Sequence, residues 1–147
     1  MKQLSFLNFF VFALLLVASL HGQAQNPVNW TAEQLIEPSA LVKELNAQKD
    51  SLLVLSVGPG ALIPNSKDMG MASKPEGLTK LTELLKTVPK GKRIIIYCGC
   101  CPFEHCPNVR PAMALLKDMH FTNYYLLDLP HNLKQDWIDQ GYPTTKM

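Results

Sequence analysis

The stretch that most constrains this chain runs from Arg93 to Leu116. A β-branched apolar run, Ile94-Ile95-Ile96-Tyr97, ends directly on Cys98, and a helix-like segment opens near Arg110. All four cysteines of the protein, Cys98, Cys100, Cys101 and Cys106, fall in the loop between them. A short, nearly continuous apolar run reads as a strand buried on both faces. The fold must therefore centre on that strand and deliver the cysteines beyond its carboxyl end.

The flanking segments supply partners for it. Ser51 to Val57 reads as a second buried strand, ended by Gly58-Pro59-Gly60. Ala61 to Pro64 is expected to form a brief edge strand, and Asn65 to Lys74 a polar loop. Upstream, Thr31 with Gln34 gives a capping-box pattern, and Leu35, Leu41, Val42 and Leu45 make a helical stripe that Pro38 splits in two. Ser73 and Glu76 make a second capping box, with Pro75 in the first turn of a helix whose apolar face is Leu78, Leu81, Leu84 and Leu85. After the cysteine loop, Asn108 is expected to cap a helix that carries Met113, Leu115, Leu116 and Met119 to about His120. Tyr124 to Leu127 reads as a last strand. Asn132 then caps Leu133 to Gln140, which Gly141 stops. Trp137 is expected in the core, and Trp30 where a linker meets the domain. Strands alternating with helices imply an α/β layer fold with a mostly parallel sheet.

Residues 1–24 read as a cleaved secretory signal: Lys2, an apolar core from Phe9 to Ala18, then the small residues of Gly22-Gln23-Ala24. The apolar run is short for a membrane span. This reading predicts export, to a periplasm or to the outside. Without the leader the 147-residue chain keeps 123 residues, 25–147, which suits one domain with its own core. It keeps 13 of its 14 basic residues against 12 acidic ones, a balance that gives no support to nucleic-acid or membrane-surface binding. An oxidising compartment invites disulfides. The spacing argues against a structural role for them, because a bridge inside the 9 residues from Cys98 to Cys106 removes little unfolded-state entropy. A bond between the neighbours Cys100 and Cys101 would also be strained. Chemistry or metal explains such clustering better.

Ligands of open α/β folds sit beyond the carboxyl ends of strands, which is where Cys98 falls. Loop N–H groups and the following helix N-terminus offer positive partial charge there, and Arg110 a full charge; both favour a thiolate. The strand ending Ile-Ile-Ile-Tyr-Cys98, the loop, Arg110, then Phe121-Thr-Asn-Tyr-Tyr-Leu-Leu and Asp136-Trp137-Ile-Asp-Gln-Gly141-Tyr142-Pro143 together resemble the rhodanese-like (sulfurtransferase) domain, over about residues 30–145. The resemblance implies a three-layer α/β domain with a mostly parallel central sheet flanked by helices. It also implies a loop cysteine that takes a sulfane sulfur as a persulfide and passes it on. A small-molecule sulfur donor and a thiol acceptor are the implied partners, and no cofactor is. Two features depart from the family pattern. Arg110 follows Cys98 by twelve positions rather than five, and the early strand ends Ser56-Val57-Gly58 where Asp-Val-Arg is common. The loop resembles a secreted, cysteine-rich variant, Cys-Gly-Cys-Cys-Pro-x-x-x-Cys-Pro-Asn.

Its strand-end position makes Cys98 the favoured nucleophile, with Cys106 its rival, and Arg110 is expected to hold an anionic donor. Gly99, Cys100, Cys101 and Asn108 are expected to bind substrate or resolve the intermediate. Cys100, Cys101 or Cys106 would attack the sulfur and leave an intraloop disulfide. Two other readings belong to different classes. Cys98-Gly-Cys-Cys101 is a Cys-x-x-Cys suited to thiol–disulfide exchange. Cys98, Cys101, Cys106 and His105 could instead hold Zn²⁺ or Cu⁺. Glu104 and His105 read as loop polar groups able to carry protons, and His120 and His131 as surface or capping residues.

Overall fold

The structure, a computed structural model, describes residues 30–47 and 51–145. The expected leader, residues 1–24, and residues 25–29 of the linker lie outside them. Among the described residues no helix is long and apolar enough to cross a membrane.

The Ile-Ile-Ile run forms β4 (Arg93–Tyr97), the middle strand of a five-stranded sheet. β2 (Leu52–Ser56) lies on one side and β5 (Tyr124–Leu127) on the other, with Leu55 opposite Ile96 and Ile96 opposite Leu126. Two short edge strands complete it: β1 (Leu35–Ile36) beside β5, and β3 (Lys67–Asp68) beside β2. Every pairing is parallel. Such a sheet needs cover on both faces, which helices provide. α1 (Pro38–Asn46) covers one face; α2 (Pro75–Lys86) and α3 (Val109–Asp118) cover the other. Two apolar clusters result. Ile94 and Ile96 pack with Leu81, Leu85, Met113 and Leu116, while Ile95 and Tyr97 pack with Leu41 and Trp137. The period-2 alternation of one strand thus feeds two cores, giving the expected three layers.

Local details correct several expectations. Pro38 does separate two elements, but Leu35 belongs to edge strand β1 and not to a helical stripe. The edge strand expected at Ala61–Pro64 forms instead at Lys67–Asp68. The reason is the buried Tyr97 hydroxyl, which accepts the Leu62 and Ile63 N–H groups at 3.1 and 3.4 Å and lies 3.0 Å from the Ser66 hydroxyl. Those bonds take the donors a strand would need. The second capping box does not form, because α2 begins at Pro75 with Lys74 as its N-cap. The last helix is a single π-helical turn, Lys134–Ile138. Asn132 caps it as expected, its Oδ1 accepting the Gln135 N–H at 2.9 Å, and Gly141 ends the segment with φ +74°.

Candidate active site

Alternation along β4 delivers the first cysteine. Cys98 follows Ile94 and Ile96 at two-residue steps, so its side chain joins the cluster under α2 and α3 and is 3% exposed. The loop beyond it contains one 3-10 turn, Phe103–His105. Two backbone bonds tie the loop to the segment after β5: Phe103 N–H to the Leu129 carbonyl at 3.2 Å, and Leu133 N–H to the Gly99 carbonyl at 3.1 Å. Cys106 returns to the interior with no exposed surface, whereas Cys100 is exposed and Cys101 half-buried.

The four sulfurs lie within 4.8 Å of one another. Cys98 Sγ is 3.3 Å from Cys100 Sγ, which is 3.4 Å from Cys101 Sγ. Asn108 Nδ2 donates to Cys98 Sγ at 3.6 Å. The other end of that buried amide is fixed, because Oδ1 accepts the Ser73 N–H at 3.0 Å. This corrects the expected role of Asn108. It occupies the N-cap position of α3, but with helical φ and ψ its side chain turns away from the helix and toward the sulfur.

This packing decides which sulfur is charged. The Cys98 thiol is held down to about 5. The Cys106 thiol donating to it is the largest cause; burial opposes it, and the Cys100 N–H, Cys100 thiol and Asn108 amide add to it. Hydrogen bonds to the charged form outweigh desolvation here. Burial first, then the sulfurs of Cys98 and Cys101, pushes Cys100 up to about 12. Cys106 is pushed well above the ordinary thiol range, first by its bond to Cys98 and then by burial, although the N–H groups of Asn108 and Val109 pull it down. The same contacts thus favour ionisation of Cys98 and oppose that of Cys100 and Cys106. The helix N-terminus faces the rival, Cys106, while the loop N–H of Cys100 serves Cys98.

Arg110 has other partners. It donates to the Glu104 carbonyl at 2.6 Å, and its guanidinium sits 5.6 Å from the ring centroid of Trp30, which packs against the first core. The donors that hold Cys98 down are neutral groups. Arg110 thus ties the backbone of the 3-10 turn to the Trp30 ring. Of the metal-ligand set read from the sequence, Cys98, Cys101 and Cys106 come together, with Cys100 rather than exposed His105 as the fourth. His131 pairs with Asp136 at 2.8 Å, and the Asp136 carboxylate also accepts the His131 N–H, a capping arrangement.

No protein-family model matches the sequence, and no curated protein does. Solved structures do match. The rhodanese-like domain of an Anabaena protein superposes with a TM-score of 0.55 at 16% identity, over 78% of this chain and 80% of that one. A Bacillus halodurans protein gives 0.56 at 17%, over 75% and 74%, and a single-domain sulfurtransferase of Saccharomyces cerevisiae gives 0.54 at 14%, over 78% and 95%. The chain has the rhodanese-like fold.

Within this rhodanese-like domain, Gly58 is a site residue that the sequence did not mark as one. A Cβ built there would lie 2.4 Å from Cys98 Sγ, so the sulfur occupies the space a side chain would need. The signal was present as a departure, Ser56-Val57-Gly58 in place of Asp-Val-Arg. Its meaning depends on how the chain leaves β2: the β2–β4 register sets Ser56 opposite Tyr97, and two residues further on Gly58 lies against the Cys98 sulfur.

Proposed function

We propose that this domain is a sulfurtransferase that carries sulfane sulfur on Cys98. The observation that supports it best is the buried Cys98 sulfur, set among Cys106, Cys100 and the Asn108 amide, which favour its ionisation, and lying 3.3 Å from the sulfur of the exposed Cys100. The fold it shares with a single-domain sulfurtransferase supports the same chemistry. With thiosulfate as donor, the Cys98 thiolate attacks the outer sulfur; the S–S bond of the donor breaks and sulfite leaves with the electron pair. The Cys98 persulfide that remains keeps the negative charge, so the donors already in place stabilise product as well as reactant. Cys100 then attacks the outer sulfur, restoring the Cys98 thiolate, and its proton ends on the transferred sulfur. An external thiol removes that sulfur from Cys100 at the surface. Every step is redox-neutral. With residues 1–24 taken as a leader, the proposal includes an exported compartment for this chemistry.

Thiol–disulfide exchange fits less well. Cys101 has Cys100 as its sulfur neighbour, and the 3-10 turn Phe103–His105 intervenes before α3 begins at Val109. Mass spectrometry of the reduced protein after exposure to thiosulfate or a persulfide donor separates the readings. The expected product is a one-sulfur adduct mapped to the Cys98–Cys106 peptide that Cys98→Ser eliminates. An adduct that persists unchanged in Cys98→Ser overturns the proposal, as does insulin reduction without any sulfur transfer.

A further inference from the structure

We propose that the four-cysteine pocket is also a zinc site, in which Cys98, Cys100, Cys101 and Cys106 bind one Zn²⁺ together. Metal binding does not depend on the sulfurtransferase reading. A tetrahedral Zn–S₄ centre with bonds of about 2.3 Å holds its sulfurs about 3.8 Å apart. Here all four lie within 4.8 Å of one another, with Cys98 and Cys100 at 3.3 Å and Cys100 and Cys101 at 3.4 Å, so the observed separations bracket that spacing.

The burial of the four suits a site loaded from solvent. Cys98 and Cys106 form a fixed floor, while half-buried Cys101 and exposed Cys100 form a rim through which an ion can enter. The outer shell is already in place. The Asn108 amide and the Cys100 N–H donate to Cys98, and the N–H groups of Asn108 and Val109 donate to Cys106. Such N–H bonds orient ligands and support their charge. Mutual repulsion keeps four adjacent sulfurs from ionising together, and a divalent cation removes that obstacle. The three ligating thiols that still carry a proton give it to solvent, leaving four thiolates and Zn²⁺ with a net charge of about −2.

A bound ion also takes up the Cys98 lone pairs, so zinc and sulfur transfer exclude each other; this clause alone rests on the proposed function. The test uses the purified, reduced protein without any sulfur donor. Titration with Co²⁺ is expected to give one ion per chain, with the intense visible bands of a tetrahedral thiolate centre, and one equivalent of Zn²⁺ should displace it. Zinc should protect all four thiols from alkylation. Rim variants Cys100→Ser and Cys101→Ser, which leave the interior intact, should each weaken binding by at least the about 10- to 100-fold that loss of an outer-shell partner costs. A reduced protein that binds no Co²⁺, alkylation indifferent to zinc, or rim variants with unweakened affinity would overturn the site. Metal binding without sulfur transfer would sink the enzymatic reading and leave this one standing; the reverse outcome would do the opposite.

Discussion

Gly58→Ala is expected to leave the domain folded and to deprive it of the ionised Cys98. The new Cβ would sit 2.4 Å from Cys98 Sγ, a separation no structure tolerates. The obstructing atom is the end of a side chain with a single torsion, so the sulfur swings aside and the backbone stays. In any other rotamer it leaves the donors on Cys106, Cys100 and Asn108 that hold its pKa near 5. Burial then acts unopposed and favours the neutral thiol. A return to even the ordinary value of about 8.5 would cut the thiolate fraction at pH 7 about 30-fold. Alkylation of Cys98 at pH 7 should slow by that factor while the circular dichroism spectrum is retained. Alkylation at the wild-type rate would show that the close approach of Gly58 and Cys98 has no bearing on reactivity.

Trp137→Ala carries the largest expected cost in stability. The indole is fully buried in the second core, its Nε1 donates to the Pro143 carbonyl at 2.8 Å, and its ring lies 5.2 Å from that of Tyr142. Truncation removes the packing and leaves a cavity, typically about 3–5 kcal/mol. Against a total stability of about 5–15 kcal/mol for a domain, that is a large share. Denaturant unfolding followed by tryptophan-independent circular dichroism should show the midpoint falling accordingly. The site should loosen as well, because Leu133, packed in the same cluster, donates its N–H to Gly99 in the cysteine loop. A loss below about 1 kcal/mol would place Trp137 outside the core energetics described here.

Local chemistry explains which parts of this fold could be read from the chain. The runs Arg93–Tyr97 and Tyr124–Leu127 were legible to the residue, because apolar β-branched and aromatic residues bounded by turns have few alternatives. The two-residue strands Leu35–Ile36 and Lys67–Asp68 were not. Strands that short carry no period of their own and exist only because a neighbour offers a ladder. The cysteine cluster was legible as a site from its spacing, and Cys98 as its favoured thiolate from its place at the strand end. The source of that charge was legible only in part. Sequence pointed to loop N–H groups, the helix N-terminus and Arg110; a loop amide, that of Cys100, does serve Cys98, but the other donors are the thiols of Cys106 and Cys100 and an asparagine that reads as a cap. The contact of Gly58 with Cys98 forms just beyond paired strands whose partners, such as Ser56 and Tyr97, lie 41 residues apart in sequence, and no local pattern announces it.

The ionisation of one buried thiol carries the whole account, and its pH dependence tests it most directly. The rate of Cys98 alkylation in the reduced protein, with Cys98→Ser as the blank, should rise from acid with a midpoint near 5 and be flat through neutrality. A rate that instead climbs through neutrality toward a midpoint at about 8.5, as for an ordinary thiol, would contradict it.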